Sequence, residues 1–246
     1  MTHTENRVAK VHRKVVKKRG RQAPSVGMIA LMVGGAVIVV IAILALTGVF
    51  KPKTVIAGDP QGMAMCGNIP CPSKGDANAP VTMVDVSSFT CSYCREHFLN
   101  TEPKIEEQYI KTGQVRYIAH TIGFDAQAQG VAAAALCAGD QGKYWEYSAL
   151  LYQNQGRFDP TSLSLYAQQA GLDGQAFALC VNSGKHQGDA VALSNAATDA
   201  GVNGTPSFFI NGKLVVGALP FQCKPGAPEC VQGDFQTLIE AALKGK

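Results

Sequence analysis

Cys91 and Cys94 are separated by Ser92 and Tyr93, a spacing that suits three kinds of chemistry. The pair can shuttle between disulfide and dithiol, brace a loop, or supply half of a four-cysteine zinc site. The flanking residues favour the first. Val81 to Phe89 alternates and is rich in Val, which predicts a buried strand, and a helix is expected to start at the cysteines. That puts Cys91 against the unpaired N–H groups and the positive end of a helix, where a thiolate is stabilised; each pKa unit gained this way is worth about 1.4 kcal/mol. Cys91 is therefore the expected nucleophile, and Cys94, one turn further in, the thiol that resolves a mixed disulfide. In a zinc ribbon the other half would be Cys66 and Cys71. Their spacing is wide, and the Cys91–Cys94 pair follows a strand rather than a knuckle, so no metal site is expected.

The remaining six cysteines are Cys66, Cys71, Cys137, Cys180, Cys223 and Cys230. Their pairing is not fixed by sequence, although Cys66 with Cys71 and Cys223 with Cys230 are close neighbours that could each clip a loop. All eight cysteines follow an apolar run. Residues 25–50 contain no charged side chain, and as a helix Val26 to Phe50 would extend about 37 Å at ~1.5 Å per residue, longer than a hydrocarbon core of ~30 Å. Residues 1–24 carry eight Lys or Arg against Glu5 alone, a charge of +7, whereas the whole chain of 246 residues is +4. The expected organisation is a basic cytoplasmic tail (1–24), a single transmembrane helix (25–50) and an extracytoplasmic remainder in which disulfides persist. A cleaved signal peptide is the rival reading, with Val55-Ile56-Ala57 as a cleavage site, but the apolar run is longer than a signal's. With its tail set apart the body carries −3, so no nucleic-acid partner is expected.

The elements that must position the cysteines follow from patterning. Residues 51–79 are rich in Pro and Gly and read as a linker. After the strand ending near Phe89 and the helix through Ile110, with Pro103 as a kink or restart, Gln114 to His120 reads as a second strand, giving a parallel β-α-β unit. Residues 125–200 read as a run of short capped helices. Pro206 to Ile210 and Leu214 to Val216 flank Asn211-Gly212-Lys213, a hairpin signal, and Phe235 to Leu243 forms a closing helix.

Three segments carry a resemblance. Val84-Asp85-Val86-Ser87-Ser88-Phe89-Thr90-Cys91-Ser92-Tyr93-Cys94-Arg95 resembles the active-site segment of DsbA-like thiol-disulfide oxidoreductases. Gly204-Thr205-Pro206-Ser207-Phe208-Phe209-Ile210-Asn211-Gly212 is similar to that family's cis-proline strand, and Ala134-Leu136-Cys137-Ala138 with Gly142-Lys143-Tyr144-Trp145 resembles its helical insertion. The resemblance runs from Pro80 to Lys244. It implies an α/β thioredoxin fold over 80–246 with an inserted helical subdomain at about 124–201, a cis Thr205–Pro206 bond beside the cysteines, and a Thr205 main chain that pairs with an extended substrate. It further implies a Cys137–Cys180 disulfide tying two helices, and a buried acid at Asp85 that relays a proton to and from Cys94. Without the resemblance, Asp85 reads equally as an exposed strand-edge charge. The Ser92-Tyr93 dipeptide lacks the histidine of DsbA itself, so that protein's potential is not carried over.

The expected activity is thiol-disulfide exchange with secreted or envelope polypeptides, as an oxidase recharged by a membrane redox partner; an isomerase or reductase uses the same residues in the other direction. A non-enzymatic peptide-binding module with braced cysteines is the competing class. No cofactor motif is present in the sequence, and none is expected. His97 reads as a solvated helix histidine rather than a ligand or base, and nothing near His120 in sequence gives it a catalytic role.

Overall fold

The computed structural model describes residues 63–224, 230 and 233–245. The expected basic tail (1–24), the apolar run (25–50) and the first part of the expected linker lie outside the described residues. Among the described residues no helix is long and apolar enough to cross a membrane.

Among the described residues five strands form one sheet in the order β1-β3-β2-β4-β5. They are β1 (Ser73–Lys74), β2 (Val81–Ser87), β3 (Val115–Thr121), β4 (Ser207–Ile210) and β5 (Lys213–Val216). β2 and β3 are parallel, with Asp85 opposite Ala119, while β4 runs antiparallel to β2 and puts Phe208 opposite Asp85. Every residue of β2 is buried, the polar Thr82, Asp85 and Ser87 included, because a central strand is covered on both faces. The β4–β5 turn is made by Asn211 (φ 45°) and Gly212 (φ 79°), both left-handed as a tight hairpin requires.

Helix α1 carries the crossover from β2 to β3. It opens as an α-helix at Ser92–Glu96, widens to a π-helical stretch at His97–Thr101, and continues through Glu102–Ile105 to a second π stretch at Glu106–Ile110. The first widening falls just before Pro103, which has no N–H to offer the preceding turn; Glu102 N–H instead bonds the His97 carbonyl, five residues back. The expected kink is thus realised as a π-bulge.

The helical insertion comprises α2 (Ala126–Gly139), α3 (Tyr144–Gln153), α4 (Pro160–Gln169), α5 (Gly174–Asn182) and α6 (Gln187–Asp199). Asp125, Asp159 and Asp173 cap three of them by accepting from Ala128, Thr161 with Ser162, and Ala176 N–H groups, each cap worth about 1 kcal/mol. The last helix, α7 (Phe235–Lys244), packs Phe235 and Ile239 with Ile105, Tyr109, Met83 and Phe208 on one side of the sheet. On the other side Val84, Val86, Ile118 and Ile122 meet Leu136 of α2 and Leu193 of α6.

That second cluster also holds Cys66 and Cys71, in the stretch expected as linker. From Met63 onward the chain is part of the folded body: a 3₁₀ turn at Met63–Cys66, a Cys66–Cys71 disulfide, and β1 paired antiparallel to β3. Gly75 follows with φ 91°. A Cβ there would run into the Val115 carbonyl oxygen, so only glycine lets the chain pass this close to β3. Pro- and Gly-rich composition marks irregular backbone, and here that backbone is pinned rather than loose.

Candidate active site

Cys91 is the N-cap residue of α1, in extended conformation (φ −88°, ψ 121°), and is half-buried, whereas Cys94 is buried. Both are free thiols. The difference follows from helix geometry, since the cap faces outward at the end of β2 and the residue three further on turns beneath it. The peptide bond between Thr205 and Pro206 is cis, and the Thr205 carbonyl oxygen lies 3.2 Å from Cys91 Sγ. Sequence positions 114 residues apart thus meet at the exposed sulfur.

The two thiols have opposite acidities. A hydrogen bond from the Cys94 thiol, with further ones from the Thr205 side chain and the Cys94 and Tyr93 N–H groups, outweighs burial and lowers the Cys91 pKa to about 5. Burial first, then the hydrogen bond given to Cys91 and the nearby Asp85 charge, push Cys94 upward against the Ser88 N–H that reaches its sulfur at 3.4 Å. Near neutral pH the dithiol is a Cys91 thiolate beside a Cys94 thiol.

Asp85 is buried, which removes the strand-edge reading. It accepts from the Ser87 hydroxyl and from Tyr117 Oη at 2.8 Å. Burial dominates these donors and, with the Glu102 charge, raises its pKa to about 7, while Tyr117 and Lys74 pull the other way. An acid poised there changes protonation in the pH range where thiol exchange runs.

The charges next to it carry no signal in the sequence. Glu102, on α1, is buried, and Lys74 of β1 reaches it at 2.7 Å and also binds Glu106. The ammonium sits 4.6 Å from the centroid of Trp145, a cation–π contact. Burial raises the Glu102 pKa even though Lys74 opposes it. A cavity of about 20 Å³, lined by Asp85, Ser87, Glu102, Thr121, Tyr144 and Ser148 among others, has room for one water and connects the two carboxylates.

His97 corrects the expectation of a solvated histidine. Its ring is 1% exposed, 4.5 Å from the Phe208 ring and 5.2 Å from that of Phe235, because the π-bulge turns it onto the sheet. Burial, then the Lys74 charge, lowers its pKa to about 3, so it is neutral and apolar in its packing. Gln155 was also unforeseen: just past α3, its Nε2 donates to the Phe89 and Cys91 carbonyls at 2.8 and 2.9 Å. Arg95 similarly reaches Tyr152 O at 2.9 Å. The insertion therefore holds the cysteine loop from above.

Among the described residues three groups bring metal-ligating atoms within 4.8 Å of each other: Asp85 with His97 and Glu102, Cys66 with Cys71 and His120, and Cys137 with Cys180 and His186. In the first, Asp85 is taken by Ser87 and Tyr117 and Glu102 by Lys74. In the other two the sulfurs are joined as disulfides. A third disulfide joins Cys223 to Cys230.

Residues 69–222 match the family model described as thioredoxin. Over 143 residues the chain is 34% identical to the Na(+)/H(+) antiporter NhaA 3 of Salinispora tropica, covering 57% of this chain and 21% of that protein. It is 32% identical over 85 residues to the probable disulfide bond formation protein D of Bacillus cereus, 33% of this chain and 39% of that protein. The chain thus spans well under half of these relatives. Among solved structures it resembles BdbD from Bacillus subtilis in its oxidised form, with a TM-score of 0.63 at 17% identity over 76% of this chain and 98% of that one. It also resembles the thiol-disulfide exchange protein alpha-DsbA2 from Wolbachia pipientis, with a TM-score of 0.60 at 21% identity over 79% and 95%. These likenesses show a thioredoxin-like α/β fold with a helical insertion.

Proposed function

This chain belongs to the thioredoxin family, and from that premise we propose that it is a protein thiol-disulfide oxidoreductase working through Cys91 and Cys94. The observation that carries the reading is the pairing of a half-exposed, acidic Cys91, 3.2 Å from the Thr205 carbonyl oxygen, with a buried Cys94 of raised pKa. A bracing disulfide has no use for that asymmetry.

The favoured direction is oxidation of substrate thiols. A substrate thiolate attacks Cys91 Sγ of the disulfide form, the Cys91–Cys94 bond breaks, and Cys94 leaves as a thiolate that takes a proton from Asp85. A second substrate thiolate then attacks the substrate sulfur of the mixed disulfide, and the Cys91 thiolate departs. Every feature that stabilises that thiolate stabilises the reduced enzyme and makes the disulfide more oxidising. Thr205 and Pro206 offer the backbone against which an extended substrate lies. The substrates are cysteine-containing secreted or envelope polypeptides, and a membrane redox partner restores the disulfide. The chain is held by residues 25–50 as a single membrane span, with the catalytic body outside the cytoplasm.

The reading is tested by titrating Cys91–Cys94 in defined thiol–disulfide buffers, trapping by alkylation and resolving the pair from the other cysteines by mass. A potential on the oxidising side of the glutathione couple supports the oxidase; one near that of thioredoxin favours an isomerase or reductase. A pair that does not titrate overturns the enzyme reading.

A further inference from the structure

His120 takes no part in the site above, and its surroundings are unusual for a histidine. It is 0% exposed on β3, opposite Val86 of β2. Nε2 lies 2.9 Å from the Leu193 carbonyl oxygen, which only accepts, so Nε2 carries the hydrogen and Nδ1 the lone pair. Nδ1 faces Cys66 Sγ at 3.7 Å and Cys71 Sγ at 4.0 Å. While those sulfurs are bonded to each other, neither has a hydrogen to give. A buried acceptor aimed at a disulfide gains a partner only when that disulfide opens.

Cys137–Cys180 supplies the contrast. Its histidine, His186, has both ring nitrogens engaged, one with Asp189 at 2.7 Å and the other with Asp140 at 2.9 Å. Asp140 Oδ2 lies 3.6 Å from Cys180 Sγ but already accepts from Lys185 and His186, so opening that disulfide satisfies no waiting group.

Access is one-sided. Cys71 lines a cavity of about 270 Å³ together with Pro70, Pro72, Trp145, Asp140 and His186. Cys66 and His120 are not in its lining and are more deeply buried than Cys71. The volume suits a small molecule rather than a folded chain.

The geometry points to Cys66–Cys71 as a second redox-active disulfide, opened at Cys71 by a low-molecular-weight thiol and stabilised in its reduced form by His120. A thiolate RS⁻ attacks Cys71 Sγ, an R–S–S–Cys71 bond forms, and the Cys66–Cys71 bond breaks with its electron pair leaving on Cys66. Cys66 takes a proton from solvent and donates it as an S–H hydrogen bond to His120 Nδ1. A second RS⁻ attacks the R sulfur, releasing RSSR and the Cys71 thiolate, which is protonated in turn. Two thiols are oxidised and one disulfide is reduced by two electrons.

The full chain carrying Cys91→Ser and Cys94→Ser, so that exchange cannot pass through the first pair, is equilibrated with reduced and oxidised glutathione, quenched, alkylated and mapped by mass. The expected result is that Cys66–Cys71 is reduced under conditions that leave Cys137–Cys180 closed, and that trapped glutathione sits on Cys71. His120→Leu then shifts the equilibrium about tenfold toward the disulfide, or roughly 30 mV. The proposal is overturned if the two disulfides open together or in the reverse order, if the adduct is on Cys66, or if a folded His120→Leu protein titrates as its parent. Should that variant not fold, the order of opening and the adduct position decide. Faster opening by a reduced unfolded polypeptide than by glutathione overturns the small-thiol assignment.

Discussion

Lys74 Nζ lies 2.7 Å from Glu102 Oε1, and through that contact a strand of two residues sets the charge beneath Cys91 and Cys94. Glu102 is 5% exposed and Asp85 8%. Lys74 also reaches Glu106, so one ammonium serves a cluster of acids.

Replacing Lys74 with Met leaves Glu102 buried without its cation. Breaking a buried pair costs about 3–5 kcal/mol; Lys74 keeps a fifth of its side-chain surface in water, and screening there brings the expected loss to about 2 kcal/mol. Urea unfolding at pH 7.5 measures it. Because Lys74 also pulls the Asp85 pKa down, the same variant titrates Asp85 above pH 7, read by the infrared carboxyl band.

Asp85→Asn tests the relay and has a signed pH dependence. A carboxyl raised in the fold to about 7 from 3.8 costs stability above its unfolded value, and the cost grows as pH rises through that window. The Asn variant is therefore more stable than the parent by roughly 2–4 kcal/mol at pH 8, with the gain gone below pH 4. Mixed-disulfide resolution by Cys94 slows at the same time. Unchanged resolution kinetics from pH 5 to 9 would remove Asp85 from the mechanism.

The reduced protein's Cys91 thiolate absorbs in the near ultraviolet, and its titration is expected to have a midpoint near pH 5. Cys94→Ala removes the largest contribution and moves the midpoint upward. The sign for stability is that of a depressed acid: the contribution is complete above the unfolded thiol's pKa of ~8.5 and is lost as pH falls through about 5.

Cys94→Ser leaves Cys91 able to attack but unable to be displaced from within. Stable adducts between Cys91 and substrate cysteines accumulate, visible as bands that vanish on reduction; their absence, with Cys91 reactive to alkylation, counts against exchange with polypeptides.

Gln155→Ala removes both hydrogen bonds to the cysteine loop. Thermal or urea unfolding is expected to show a loss of about 1–2 kcal/mol, and alkylation of Cys91 to lose its sharp single midpoint as the loop samples other conformations.

The sequence was most readable where chemistry and local structure coincide. Cys91 at a strand-to-helix junction, the valine-rich β2 and the Asn211-Gly212 turn each announce themselves within a few residues. Lys74 with Glu102 does not, because 28 positions separate them and only the β1–β3 pairing joins them. The composition before Pro80 concealed that strand. His97 is hidden for a related reason: three residues from Cys94 puts it on the same helical side, but the side is the one that Phe208 and Phe235 cover, and the widening before Pro103 fixes its angle. Gln155 sits at a helix end, where a glutamine signals nothing.

The cation under the active site arrives on β1, threaded past Val115 at Gly75 and anchored by the Cys66–Cys71 closure. A gene fusion that began at Pro80 would inherit Cys91, Cys94, Pro206 and Asp85, every residue a motif could identify, and would leave behind the one lysine that keeps Glu102 from confronting Asp85 uncompensated. The unit that has to be kept together is therefore longer than the stretch that bears the motifs, and the added length that carries Lys74 and Gly75 falls within the residues 69–222 that match as a family.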